Sequence, residues 1–493
     1  MAVVNRYSYR IKELKIDSYD DPDPYWFLHA VNLQPCVLLP NLRVLFWRPC
    51  LLDCPGPVSV TLLQRFLGPS LDSADLFLTS MDDATVQSFL ANFLLLCPNL
   101  KSISITHDEA ARWNVSQTAI DLLSQAISRH QHFERLCLHV PIDDVALTHI
   151  ATSPKVKGLN LVLHPDKSRL HQFCLSPDII PFYHVEDFFL QIWDLDFLTA
   201  LLRTEGQMFR SFHFNLCSRP TIEAFSVFLD ALVSPRRTSS LQSLGLHLSL
   251  VDESDEPLIT TAPARLSYVT LRPLAQLSQL CELYIMFDHC LVMDDNDLIS
   301  LARHWPLLRV LQVSGCGGPH EHFWQSRKRI TLKGLLSLVQ CCPQLHWFSL
   351  PVDATKVPAD SPGRFASNPK LSCISMTEAP IREPLPVARF LHRHFPYLAE
   401  VDVTFHQPSI YRNVIIYEMA WCQVNESLKD LRGLQERLGI CMLHFFPPYR
   451  AFVSPVNCNG SSLLLSVGQP GNFPLDFGDT CVRPLPLFVG GLL

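Results

Sequence analysis

Fourteen times along this chain an apolar triplet recurs as LxxLxL, apolar at i, i+3 and i+5. The triplets start at Ile11, Leu42, Leu71, Leu100, Phe133, Val156, Val185, Phe209, Leu241, Leu280, Leu308, Leu345, Leu371 and Leu398. The thirteen steps cover 387 residues, a mean of about 30, which lies in the roughly 20–50-residue range of repeat arrays. With 48% apolar residues a single match means little, so the prolines decide. Pro40, Pro69, Pro98, Pro154, Pro306, Pro343, Pro369 and Pro396 each stand two residues before a triplet, where random placement of 38 prolines in 493 residues would put about one. A repeated unit explains that placement.

Helical apolar spacing precedes several triplets, at 82–97, 116–130, 331–342 and 383–395. Asp82, Ser116, Asp294 and Thr331 are N-cap residue types, whose side-chain oxygens accept the orphan amide hydrogens of a first helical turn. Proline lacks an amide hydrogen and disfavours helical geometry before it, so it punctuates helix from strand. Short strands joined through helices must run parallel. The expected fold is α/β: a leucine-rich-repeat right-handed solenoid, or horseshoe, of about 14 irregular strand-helix units over residues 5–408. At i+8, where such repeats want a residue that bonds within the turn, stand Cys50, Cys217, Cys316, Asp108, Asp288 and Asp353. Residues 409–440 are expected to form a capping helical segment, with Trp421, Val424, Leu428 and Leu431 on its apolar face, and 441–493 an irregular tail.

Composition narrows function. A net charge of −7 without long runs of either sign offers no nucleic-acid stripe and no basic membrane face, and no apolar stretch is long enough to span a bilayer. Seventeen scattered cysteines without a CxxC pair, behind a start with no secretory signal, suit reduced thiols in a cytoplasmic or nuclear protein. The sequons at Asn114, Asn425 and Asn459 are then chance matches. Phosphate-cradling GxxxxGK[ST] and GxGxxG patterns and the GxSxG elbow do not occur. The pairs His130/His132 and His320/His322 lack metal-ligand spacing, and the acidic pairs Asp82/Asp83 and Asp294/Asp295 fit helix starts better than acid/base chemistry. No catalytic residue, no cofactor and no metal is expected.

Strand alternation points the residues at i+4 and i+6 away from the apolar core. In the middle repeats these are Phe189 and Gln191, His213 and Asn215, His247, then Tyr284 and Met286; earlier repeats offer Lys15, Asp17, Phe46, Arg48, Ser104 and Thr106. If i+2 also faces out, Trp347 and Glu400 join them. Aromatic residues and methionine among polar hydrogen-bonders compose a protein-binding patch. The long units carry insertions at 251–267 and 315–330, and the second holds Phe323, Trp324, Arg327, Lys328 and Arg329, a basic and aromatic set suited to an acidic or phosphorylated partner.

The segments RYSYRIKELKID (6–17), CPNLKSISI (97–105), CPQLHWFSL (342–350) and the stretch from Ser375 to Val403, followed by the helix around Trp421, resemble the repeat region of the fungal, mushroom-type F-box/leucine-rich-repeat proteins, over roughly residues 5–440. The resemblance implies a protein substrate held by the repeats of an SCF-type ubiquitin ligase, with the ligase adaptor docked on an F-box helix. No Leu-Pro-led helical pattern precedes Ile11, so no adaptor-docking residue carries over, and adaptor binding is expected only if such a segment lies upstream. The alternatives are a stand-alone repeat scaffold or decoy and, more remotely, a GTPase-activating repeat protein, whose regular Asn at i+8 and acidic tail this chain lacks.

Overall fold

The computed structural model describes residues 9–17, 39–48, 63–77, 83–106, 116–163, 180–193, 195–204, 206–218, 220–233, 235–248, 265–287, 290–315, 329–358, 368–376, 379–403 and 412–437. Each of the fourteen triplets is followed, two residues after its first position, by a strand: β1 (Glu13–Asp17), β2 (Val44–Arg48), β3 (Ser73–Phe77), β4 (Ser102–Thr106), β5 (Arg135–Leu138), β6 (Gly158–Val162), β7 (Asp187–Ile192), β8 (Ser211–Leu216), β9 (Ser243–Leu248), β11 (Glu282–Phe287), β13 (Val310–Gly315), β15 (Trp347–Ser349), β17 (Cys373–Ser375) and β18 (Glu400–Asp402). All fourteen lie in one sheet in chain order, every neighbouring pair parallel. The chain is a mixed α/β repeat array.

Register follows the triplet. The i+3 residues form an unbroken ladder through Leu14, Leu45, Ala74, Ile103, Leu136 and Leu159, then Phe188, Phe212, Leu244, Leu283 and Leu311. A backbone device holds this alignment at the strand entrances: the carbonyl at i+1 accepts amide hydrogens from both i+1 and i+2 of the next unit. Lys157 O, for instance, receives Glu186 N at 2.8 Å and Asp187 N at 3.0 Å, and Glu186 O receives Arg210 N and Ser211 N. A one-residue slip would break this device and turn the apolar ladder to the other face.

Proline has a more specific role than helix stop. In seven of the eight proline units the residue before it accepts the amide of the triplet's first residue, as Leu100 N to Cys97 O and Leu345 N to Cys342 O. Proline therefore occupies the second position of a β-turn, where its fixed φ suits the geometry. Val185 closes the same turn without proline, and there Phe182 adopts φ 58.

The helices expected from spacing form within one residue of their expected ends: α1 (Asp83–Leu96), α2 (Gln117–Arg129), Leu332–Cys341 and Pro384–His394. Ser116, Asp294 and Thr331 cap their helices as their types suggest, Asp294 in a reciprocal capping box with Asp297; Asp82 lies outside the described residues. Further helices, α3 (Asp144–Thr152), α4 (Leu195–Arg203), α5 (Ile222–Leu232) and Asp295–Ala302, fill other units. The strand-helix unit is not kept throughout: the described residues between β1 and β3, between β6 and β7 and between β15 and β17 contain no helix of eight residues or more, and those between β9 and β11 only the short helix Tyr268–Leu271 and a 3-10 turn at Arg272–Gln276. Two small parallel pairs stand apart from the main sheet: β10 (Arg265–Ser267) with β12 (Cys290–Val292), and β14 (Ile330–Thr331) with β16 (Val352–Asp353).

One continuous core joins the inward sheet positions to the helices. Its densest part is aromatic: Phe188, Phe209 and Phe212 stack with centroids 5.0–5.7 Å apart, and Phe214 meets Phe228 of α5 edge-on at 4.9 Å. Each such buried ring contributes about 1.5–3 kcal/mol by area removed from water. Buried Arg237 donates to Leu232 O, Ala231 O, Leu202 O and Gln207 Oε1, so one guanidinium caps the carboxyl ends of both α4 and α5.

At the far end helix Arg412–Arg437 packs Trp421, Val424 and Leu428 against the last unit, with Leu431 half-buried beside them. Asn425 accepts from Val401 N at 2.9 Å and donates to Val401 O at 2.7 Å, doing for β18 what another strand would do. Arg432 adds a bond to Ala399 O, and the Trp421 indole donates to Ala379 O. The side chain of Asn425 is thus occupied within the fold. The expected tail, 441–493, lies outside the described residues.

Candidate functional site: the open face of the sheet

With i+3 and i+5 buried against the helices, the i+2, i+4 and i+6 side chains occupy the opposite, open face. Register then brings the candidate residues together. Phe189, His213, Gly245 and Tyr284 are consecutive partners across β7, β8, β9 and β11. Beside them Gln191, Asn215, His247 and Met286 form a second consecutive row. All seven named candidates of these strands are half-buried rather than fully exposed. Trp347 lies in the i+2 row on β15, separated from Tyr284 by β13, with Cys373 of β17 as its register partner on the other side.

Within this cluster the His213 ring stacks with His247 at 6.5 Å, and Tyr284 lies 5.9 Å from His213 and 6.4 Å from His247. Burial pushes the His213 imidazole down to about 4, with neighbouring His247 adding to the effect, and burial does the same to His247. Both rings are neutral near pH 7. Tyr284 is pushed up to about 12 by burial, then by the charge of Glu282 and by its hydrogen bond to that carboxylate.

Three strands are stitched by one hydroxyl. Ser243 Oγ donates to Glu282 Oε2 at 2.9 Å and lies 2.9 Å from His213 Nε2. Its single proton is committed to Glu282, so it accepts from His213, which must carry its hydrogen on Nε2. A base activating a serine nucleophile would need the opposite polarity. This chain of bonds positions the rings instead.

Sequence reasoning does not single out Ser243, Glu282 or Gly245. The i+2 offset that raises Trp347 and Glu400 also selects Ser243 and Glu282, and applying it to every unit would find them. A second feature is invisible in sequence: Asp75 Oδ1, Thr106 Oγ1, Asn160 Oδ1 and Asn215 Oδ1 are buried oxygens without a hydrogen-bond partner among the described residues. All four belong to the i+4 and i+6 rows of the open face.

Of the basic insertion, Phe323, Trp324, Arg327 and Lys328 lie outside the described residues. Arg329 is engaged inside the fold, paired with Asp353 at 2.7 Å. Asp353 also accepts from the Thr355 amide and hydroxyl, the turn bonding expected of an i+8 residue. His130 is buried against Phe133, centroids 4.1 Å apart, and burial lowers its pKa. Asp295 accepts from both Thr331 N and Thr331 Oγ1, tying one helix start to the next. Among the described residues no three His, Cys, Asp or Glu side chains are grouped to hold a metal ion and no helix is long and apolar enough to cross a membrane, and Cys97, Cys137, Cys217, Cys281, Cys341, Cys342, Cys373 and Cys422 are free thiols.

No family model matches the sequence, and no curated protein does. Among solved structures the chain is similar to one in the crystal structure of the Rad7 and Elc1 complex in yeast, with 10% identity over 77% of this chain and 74% of the other and a TM-score of 0.35. A likeness that weak assigns neither partner nor role.

Proposed function

We propose that this chain is a protein-binding module: a right-handed leucine-rich-repeat solenoid spanning about residues 5–408, closed by the helical segment 409–440, that holds a protein segment across the open face of β7 to β11. One observation carries this reading. Phe189, Gln191, His213, Asn215, His247, Tyr284 and Met286, scattered over about 100 residues of sequence, are contiguous through strand register and half-buried on one face. Aromatic side chains and methionine with fixed hydrogen-bonding neighbours make rigid anchors whose ordering cost on binding is low.

In the finer form of this reading, supported by the repeat-region resemblance, the module is the substrate-receptor-like arm of an SCF-type ubiquitin ligase, its adaptor contact depending on an F-box segment upstream of Ile11. No cofactor and no catalytic step belong to this reading. The double substitution Phe189→Ala with Tyr284→Ala is expected to abolish recovery of the partner co-purified with the native chain while leaving the unfolding midpoint close to wild type, because neither ring is in the core. Full partner recovery at unchanged stability would sink the assignment. The ligase role is tested separately, by asking whether depletion of the chain lengthens the lifetime of the recovered partner; an unchanged lifetime favours the stand-alone scaffold.

A further inference from the structure

Charge on the open face is uneven. From β6 through β18 the described i+2, i+4 and i+6 positions carry four carboxylates, Asp187, Glu282, Glu400 and Asp402, and not one lysine or arginine. The cations of this face, Lys15, Arg48 and Arg135, stand in β1 to β5, where Arg48 pairs with Asp75 at 2.9 Å and the Arg135 side chain lies over Gly158 of β6. Lys157, Arg210 and Arg309 sit one residue before β6, β8 and β13, outside these rows, and Arg210 donates to Gln242. Neither Asp187 nor Glu282 has an ion-pair partner among the described residues, and the two histidines between them are neutral.

The uncommitted hydrogen-bonding capacity points the same way. Asn160 Oδ1 and Asn215 Oδ1, flanking Phe189 and Gln191, are buried acceptors without donors among the described residues. A buried acceptor left unsatisfied is costly, and arginine and lysine bring several donors, no acceptor and a positive charge. Arginine adds a planar cation that stacks on aromatic faces such as Phe189 and Tyr284.

We infer that the open face between β6 and β11 takes a basic, arginine-bearing polypeptide segment, with Asp187 and Glu282 as its counter-charges and Asn160 and Asn215 as its hydrogen-bond acceptors. This rests on the docking-face reading above and adds the chemistry of the partner. An acidic segment would meet carboxylates and orphan acceptors with nothing to neutralise either.

The test uses the full chain and two labelled peptides of about fifteen residues, Gly-Ser with interspersed arginine and the same peptide with glutamate in place of arginine, by fluorescence anisotropy at about 20 mM salt, where charge pairing is least screened. The arginine peptide is expected to bind, and Asp187→Asn with Glu282→Gln to weaken it about three- to tenfold, as two partly exposed pairs are removed. The charge-matched control Glu223→Gln with Asp230→Asn on α5 is expected to leave binding near wild type. Equal weakening by both doubles, or no binding of the arginine peptide, would overturn the inference. Preferred binding of the glutamate peptide that is lost in Phe189→Ala with Tyr284→Ala would overturn the basic partner while keeping the face. Arginine-peptide binding untouched by any substitution on the face would overturn the face itself.

Discussion

The His213 imidazole lies across the backbone of Gly245: a Cβ on Gly245 would sit 2.1 Å from His213 Nδ1 and 2.8 Å from its Cγ. Glycine is required here for close approach, and the ring it admits reaches Ser243 on the same neighbouring strand. Gly245→Ala is therefore expected to displace His213, break its bond to Ser243 and cost about 1–3 kcal/mol through overpacking. The sharper readout is the imidazole titration by NMR, which is expected to move from about 4 toward the ordinary 6.5 as the ring swings into water. An unmoved titration would mean that Gly245 does not set the ring's position.

Stability is expected to fall on mild acidification. His213 and His247 are held down near 4 in the fold against about 6.5 unfolded. The unfolded chain thus binds more protons between those values, so their contribution is complete above pH 6.5 and is lost as pH falls toward 4. His130 and His392 are shifted the same way by burial and add to the slope. Urea midpoints measured from pH 7.5 to 4.5 should decline, and His213→Gln with His247→Gln should flatten the decline; an equal slope in that variant would contradict the assignment.

Arg237 is the buried charge on which two helix ends depend. Arg237→Ala leaves the carbonyls of Leu202, Ala231 and Leu232 without their donor and is expected to cost about 3 kcal/mol or more. Arg237→Lys keeps the charge but cannot reach all of those carbonyls at once, so it should restore less than half of the loss. Chemical denaturation of the two variants checks the order; full rescue by lysine would contradict the capping role.

Asn425 closes an edge. Asn425→Ala removes both bonds to Val401 and is expected to cost about 1–3 kcal/mol. With the N–H and C=O of β18 released, self-association through that edge should follow. Light scattering and a denaturant midpoint on the same sample test both; an unchanged midpoint would show that the helix caps by apolar packing alone.

The strands are legible in the sequence because their signal is strictly local. Three apolar positions at fixed offsets set each strand, and the same offsets repeated fourteen times set register as well, so the amino-acid pattern alone aligns Phe189, His213 and Tyr284. Four helices are legible to within a residue from their apolar spacing, two of them also from the caps Ser116 and Thr331. The two small pairs β10–β12 and β14–β16 are not, because segments of two or three residues carry no periodicity. Arg237 is not singled out by the sequence, since its burial depends on carbonyls up to 35 residues away. At the site the aromatic members are visible, whereas Ser243 and Gly245 look ordinary in sequence. Their importance comes only from what the neighbouring strand puts beside them.

The central claim is that the open face between β7 and β11 is the surface that holds a partner. Its most direct test places a photo-crosslinking residue at Gln191 on that face and, separately, at Glu223 on the helical side, in otherwise native chain. The account expects a discrete protein adduct from position 191, abolished by Tyr284→Ala, and none from 223. An adduct from 223 alone, or equal adducts from both that survive Tyr284→Ala, would contradict it.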